Sequence, residues 1–242
     1  MTSATDHPRN TLSLRLQSVR GRIVEAARRV QRSPDDITLI AISKTHPTSV
    51  LKEALALGIT DLGENRIQEA EPKIQEIGGA KVRWHLVGHL QSNKARRAVQ
   101  LFQVIHSLDS VQLARRLDRV CEEEGRQELD VLIQVDLAGE VTKSGVPQEQ
   151  LLELAGETNN CQRLKLCGLM VLPPYFERAE DVRPFFVQLR ELRDKLQSEN
   201  YFGAVSGELS MGMTHDFEIA IEEGATMLRV GTAIFGAREA RV

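Results

Sequence analysis

The chain has 242 residues, 31 basic against 34 acidic side chains for a formal net charge of −3, and 41% hydrophobic but only 4% aromatic residues. This balance gives no electrostatic footprint for nucleic acid, and so few rings leave little for single strands to stack on. Cys121, Cys161 and Cys167, an odd number without CxxC spacing, point away from a disulfide framework and from a cysteine zinc site, and fit a reducing cytoplasm.

The stretch 1–10 is polar and contains Asp6 and Pro8, unlike the apolar core of a secretory signal, and no run of about eighteen apolar residues occurs anywhere. A cytoplasmic protein that does not span a membrane is expected. Leu12, Leu16, Val19, Ile23, Ala26, Ala27 and Val30 recur at three- and four-residue steps, one face of an amphipathic helix that Ser33-Pro34-Asp35-Asp36 ends. Leu39 to Ser43 then reads as a short strand buried on both faces, the kind a parallel sheet requires.

An alternation follows. A helix over 48–57 stops at Gly58, and a second strand ends near Glu64-Asn65; Pro72 complicates the next helix. Strands are predicted over 82–89, 104–108, 130–136 and 164–171, with helices over 92–102, 110–121 and 147–158 between them. Pro184 suits the start of a long helix reaching about Glu199. A weak strand over 209–213, a helix over 215–223 and a last strand over 227–230 complete the pattern. Strands separated by helices, without consecutive hairpins, predict a parallel sheet, and eight of them suit closure into a (β/α)8 TIM barrel. An open doubly wound sheet is the alternative; no G-x-G-x-x-G follows the first strand, and the segment Gly139 to Gly145 lacks P-loop order. One α/β domain over 1–242 is expected, with the N-terminal helix covering the barrel wall.

In such a barrel function sits at the carboxyl ends of the strands. Lys44 follows the first strand on the side of Ile40 and Ile42, so its amine falls at the barrel mouth. It reads either as a Schiff-base lysine or as a lysine snorkelling from a strand end. Small residues in Ser210-Met211-Gly212-Met213-Thr214 and in Gly231-Thr232 occur where barrels hold phosphate, with Ser210 and Thr232 as hydroxyl donors; two ordinary turns are the alternative. Arg229, on the same strand face as Gly231, needs an internal carboxylate or a ligand. Asn65 is a ligand contact or a helix cap. His85 and His89 lack the glutamate of H-E-x-x-H, so no metal is expected.

Taken together, several segments resemble the pyridoxal 5′-phosphate homeostasis proteins, almost end to end: AISK at 41–44, LGENRIQE at 62–69, WHLVGHLQSNK at 84–94, GLM at 168–170 with Pro173-Pro174, SMGM at 210–213 and LRVGTAIFG at 228–236. The resemblance implies a fold-type III barrel like the N-terminal domain of alanine racemase. It implies pyridoxal 5′-phosphate as cofactor, its aldehyde on Lys44 and its phosphate around Ser210, Gly231 and Thr232, with Met211 and Gly212 nearby. Arg229 is implied to face the pyridine nitrogen, and Asn65 to lie beside the ring. Thr214 stands where the family usually has Ser, Asp136 where Asn is common, and Leu86 where Phe or Met is typical.

An arginine cannot accept the proton that makes the ring a strong electron sink, and neither Tyr175 nor Tyr201 lies where racemases of this fold carry a catalytic tyrosine. The expectation is a binder without catalytic residues that keeps pyridoxal phosphate as a reversible Schiff base for its homeostasis. Apoenzymes or free amino acids are the expected acceptors. A racemase or decarboxylase using His89 or Tyr175 is the alternative, and a barrel aldolase with Lys44 on a sugar phosphate is a third. No coiled-coil seam is visible, so a monomer is expected.

Overall fold

The computed structural model describes residues 8–78, 82–139 and 144–236; residues 1–7 of the polar N-terminal stretch and 140–143 of the Gly139 to Gly145 segment lie outside the described residues. In chain order the elements are α1 (Pro8–Arg29), β1 (Thr38–Ile42), α2 (Thr48–Ala56), β2 (Asp61–Glu64), α3 (Ile67–Ile77), β3 (Arg83–Leu86), α4 (Ala95–Leu101), β4 (Val104–Leu108) and α5 (Val111–Glu123). Then come β5 (Leu129–Asp136), β6 (Val146–Pro147), α6 (Leu151–Asn160), β7 (Leu164–Met170), α7 (Arg183–Ser198), β8 (Glu208–Ser210), α8 (Phe217–Glu222), β9 (Met227–Val230) and α9 (Thr232–Phe235).

β1 to β5 pair in sequence; β5 continues to β7, β8 and β9, and β9 returns to β1, every pair parallel. The sheet is therefore a closed eight-stranded barrel, and β6 is a two-residue addition on the edge of β5. Closure leaves none of the eight barrel strands as an edge of the barrel. The helices cover the outside, where one apolar layer holds Leu16, Leu51, Trp84, Phe102, Phe186 and Phe217. A second, small cluster around Ile42, Val104, Leu132 and Met170 fills part of the barrel interior.

α1 behaves as its periodicity requires: Leu12, Leu16, Val19, Ile23, Ala26 and Ala27 are buried. It packs on α8 and α9. Arg22 pairs with Glu218 at 2.5 Å and lies 4.4 Å from the centre of the Phe217 ring, while Arg15 Nε donates to the Ile234 carbonyl at 2.9 Å. Since α9 has only four residues, α1 supplies the cover on that side of the barrel.

Element ends move for local reasons. Ser110 is the cap of α5, its hydroxyl accepting from Leu113 N at 3.3 Å. Pro147 belongs to β6, so the helix predicted from 147 begins at Leu151 after a turn of 3₁₀ helix. β8 stops at Ser210 rather than continuing to 213, because Gly212 turns the chain with φ +90° and a side chain there would meet Ala220 Cβ at 2.6 Å. His215 and Asp216 stay outside α8, where Asp216 Oδ1 accepts from Met213 N at 2.6 Å and shapes the loop.

Candidate functional site

A cavity of about 470 Å³ opens at the carboxyl ends of the strands, within the size range of small-molecule sites. Lys44, Asn65, Thr214, Arg229, Gly231 and Thr232 all line it. They come from five different strand ends or loops, after β1, after β2, after β8, in β9 and after β9. Side-chain alternation explains the first of these: Ile40 and Ile42 lie in the interior cluster, and Lys44 continues their parity past the end of β1.

The strand ends beneath Lys44 and Asn65 are fastened together. Ser43 N donates to the Gly63 carbonyl at 3.0 Å, and Ser43 Oγ donates to Glu64 Oε1 at 2.7 Å. Asn65 itself is exposed and makes a close approach to the chain after β3: a Cβ on Gly88 would stand 2.2 Å from the Asn65 carbonyl oxygen. Only glycine fits there. His46 lines the cavity edge and stacks on Phe235 with ring centroids 4.9 Å apart.

Two strands meet on the opposite side. Arg229 N donates to the Gly212 carbonyl at 3.0 Å, and Ala233 N to Thr214 Oγ1 at 3.4 Å, so the loop after β8 and the turn after β9 form one surface. Arg229 is 3% exposed. Burial pushes its guanidinium down to about 10, the charge of Asp216 acting against this, and it stays ionised at neutral pH. Its Nη1 donates to Ser210 Oγ at 2.6 Å and its Nη2 to the Val171 carbonyl at 2.8 Å.

Of the residues singled out from sequence, the structure brings Lys44, Asn65, Arg229, Gly231 and Thr232 to one cavity. Ser210, Met211 and Gly212 lie behind it: all three are buried, and none is part of the lining. Ser210 Oγ, expected to face an anion, is committed to Arg229 and to His106 Nδ1 at 2.9 Å. The hydroxyl-bearing residue of that segment that lines the cavity is Thr214, four positions later, past the turn at Gly212. A strand carried on to 213 hid that turn, although a glycine followed by Asp216 could have signalled it. Lys73 and His106 carry no motif in the sequence, and Glu64 reads there only as the end of the second strand. His85, weighed only as a metal ligand, is wholly buried within the barrel.

The lining combines an amine, an amide, a guanidinium and two threonines. The alanine racemase N-terminal domain family model matches residues 15–239. A pyridoxal phosphate homeostasis protein of Aquifex aeolicus is 44% identical over 225 residues, 93% of this chain and 97% of that protein. One of Pseudomonas aeruginosa is 42% identical over 231 residues, 95% of this chain and 97% of that protein. The structure of PipY from Synechococcus elongatus with PLP bound is similar with a TM-score of 0.78 at 38% identity, over 93% of this chain and 100% of that one. Similarity of this extent makes the chain a member of the pyridoxal phosphate homeostasis protein family, built on the alanine racemase N-terminal domain fold.

Proposed function

We propose that the cavity binds pyridoxal 5′-phosphate as a reversible Schiff base with Lys44, and that the protein holds and releases this cofactor for its homeostasis rather than turning over a substrate. The observation that carries the reading is the meeting of Lys44, Arg229 and the Thr214, Gly231 and Thr232 surface in one cavity at the barrel mouth. Relatives named for pyridoxal phosphate homeostasis, and the PLP-bound structure of PipY, support it.

The donor set fits the group. An amine can condense with an aldehyde; two hydroxyls beside a glycine suit a dianionic phosphate on the other side; Asn65 offers an amide to ring oxygens. When bound, pyridoxal phosphate supplies an aldehyde carbon for amine exchange and a ring able to draw electrons. Arg229 limits the second property, because a guanidinium donates hydrogen bonds and cannot take up a proton from the ring nitrogen. Exchange of one amine for another needs no such withdrawal. Free amino acids and cofactor-free enzymes are acceptors consistent with this chemistry, in the cytoplasm.

The test adds pyridoxal phosphate to the purified protein, follows the yellow absorption, and then offers D- and L-amino acids. Release of cofactor without product is expected, and sustained turnover abolished by Lys44→Ala would reject the carrier reading.

A second reading, a racemase or decarboxylase, has one observation in its favour: His89 lines the same cavity with Nδ1 3.2 Å from Asp109 Oδ2, an imidazole oriented by a carboxylate. Deuterium incorporation at the α-carbon of an amino acid, lost in His89→Ala, would establish it.

A further inference from the structure

Barrel interiors of this class are filled mainly by branched apolar side chains. Here a line of polar groups crosses that interior. His85 Nε2 lies 2.9 Å from Asp61 Oδ1, His85 Nδ1 lies 2.8 Å from His106 Nε2, and His106 Nδ1 lies 2.9 Å from Ser210 Oγ, which accepts from Arg229 Nη1 at 2.6 Å. His85, His106 and Ser210 are completely buried, and only Asp61 at the start of β2 is partly open.

The chemistry at the two ends fixes the direction of every proton between them. Arg229 can only donate, so Ser210 accepts from it and gives its own hydroxyl proton to His106 Nδ1. His106 is then protonated at Nε2 and donates to His85 Nδ1, and His85 is protonated at Nε2 and donates to Asp61. The carboxylate can only accept. At Asp61 burial opposes the charge, but hydrogen bonds from His85 and Thr60 and the charge of Arg83 outweigh it and lower the pKa. Burial keeps both imidazoles neutral; the charges of Arg229 and Arg83 add to this at His106. Four bonds thus run one way, from donor at Arg229 to acceptor at Asp61, and such chains polarise one another.

Two imidazoles inside a barrel gain nothing over leucine in stability, since desolvation offsets their bonds. Their effect falls on Arg229, which has neutral acceptors on both Nη atoms. We propose that Asp61, His85, His106 and Ser210 form a directed relay of positioning residues that anchors Arg229 as a fixed donor at the cavity, so that the relay governs how the bound ring nitrogen is held. This rests on the reading that the cavity takes pyridoxal phosphate. It removes Ser210 from the set of phosphate ligands and makes it the link between cofactor site and barrel interior.

The test uses the full chain, free and loaded. In the free protein labelled with ¹⁵N, both histidines are expected as neutral Nε2–H tautomers. Ser210→Ala is expected to shift the His106 ring signals and to broaden or lose the Arg229 Nε–H signal, and Ser210→Thr to restore it. Nδ1–H tautomers, rings protonated at neutral pH, or an Arg229 signal indifferent to Ser210→Ala overturn the relay. The tautomer measurement needs no variant, so it decides even where Ser210→Ala does not fold. In the loaded protein Ser210→Ala should move the cofactor absorption band and its pH midpoint and weaken pyridoxal phosphate by about tenfold, the scale of one hydrogen bond to a charged group. Affinity for inorganic phosphate alone should stay unchanged. An equal loss of inorganic phosphate binding returns Ser210 to the anion site and overturns its place in the relay. A wild-type protein that takes up no pyridoxal phosphate sinks the cofactor reading, while the free-protein signals still decide the anchoring of Arg229.

Discussion

Lys73 on α3 sets its ammonium 2.5 Å from Glu64 Oε1 at the end of β2, and the same nitrogen donates to the Ser43 carbonyl at the end of β1, 2.7 Å away. Glu64 is fully buried and Lys73 nearly so, and Glu64 Oε2 is buried without a hydrogen-bond partner among the described residues. One cation thus clamps the two strand ends immediately before Lys44 and Asn65.

Breaking this pair should be costly, because it strands a buried carboxylate. Lys73→Met is expected to lower stability by about 3 kcal/mol, and Lys73→Met with Glu64→Gln to recover part of the loss. Urea denaturation of the three proteins measures both numbers. A loss below 1 kcal/mol in the single variant would show that Glu64 reaches water.

Thr45 follows Lys44 with φ +67°, a conformation that a β-branched residue adopts only under strain. Thr45→Gly should relieve that strain and stabilise the fold by about 1 kcal/mol, and it should weaken cofactor retention by freeing the turn that carries the amine. Denaturation midpoints and cofactor dissociation rates report the two effects. A destabilised Thr45→Gly protein would mean that the turn costs nothing.

The buried histidines set a pH dependence. Their folded-state values lie below the ordinary value of 6.5, chiefly through burial, so the unfolded chain binds more protons than the folded one from about 6.5 downward. Stability from these groups is complete above that value and falls as pH drops toward the folded values. Asp61, also lowered, adds a further loss in the acid range below its ordinary 3.8. Urea midpoints measured from pH 8 to pH 5 should fall, and His106→Leu should flatten the slope. A midpoint constant across that range would place both rings in water.

The three thiols should be poor nucleophiles. Burial pushes Cys121 and Cys161 up to about 11 and Cys167 up to about 12. At pH 8 reaction with Ellman's reagent should proceed far more slowly in the native protein than in urea. Three fast-reacting thiols in the folded protein would contradict this.

The barrel was legible because its signals are local. Short branched strands such as 130–136 and 227–230, glycine stops and helix periodicity each depend on neighbours in sequence, and Lys44 and Arg229 could be placed by strand parity alone. The relay was not legible, because Ser210 and His106 are 104 positions apart and meet only when β4 and β8 face each other across the closed barrel. The signal available was inward parity: His85 and His106 sit on adjacent strands at positions where apolar residues are the rule. Lys73 carries no motif in the sequence, and its part in the site shows only in its burial against Glu64. Thr214 was hidden by a turn, Gly212, that ended a strand earlier than hydrophobicity suggested.

The claim that Lys44 carries the cofactor is tested most directly by adding pyridoxal phosphate to the purified protein, reducing with borohydride and mapping the modified peptide by mass spectrometry. One reduced pyridoxyl group per chain on Lys44 is the expected result, absent in Lys44→Ala. A group on any other lysine, or an unlabelled chain that nonetheless holds the cofactor, would contradict it.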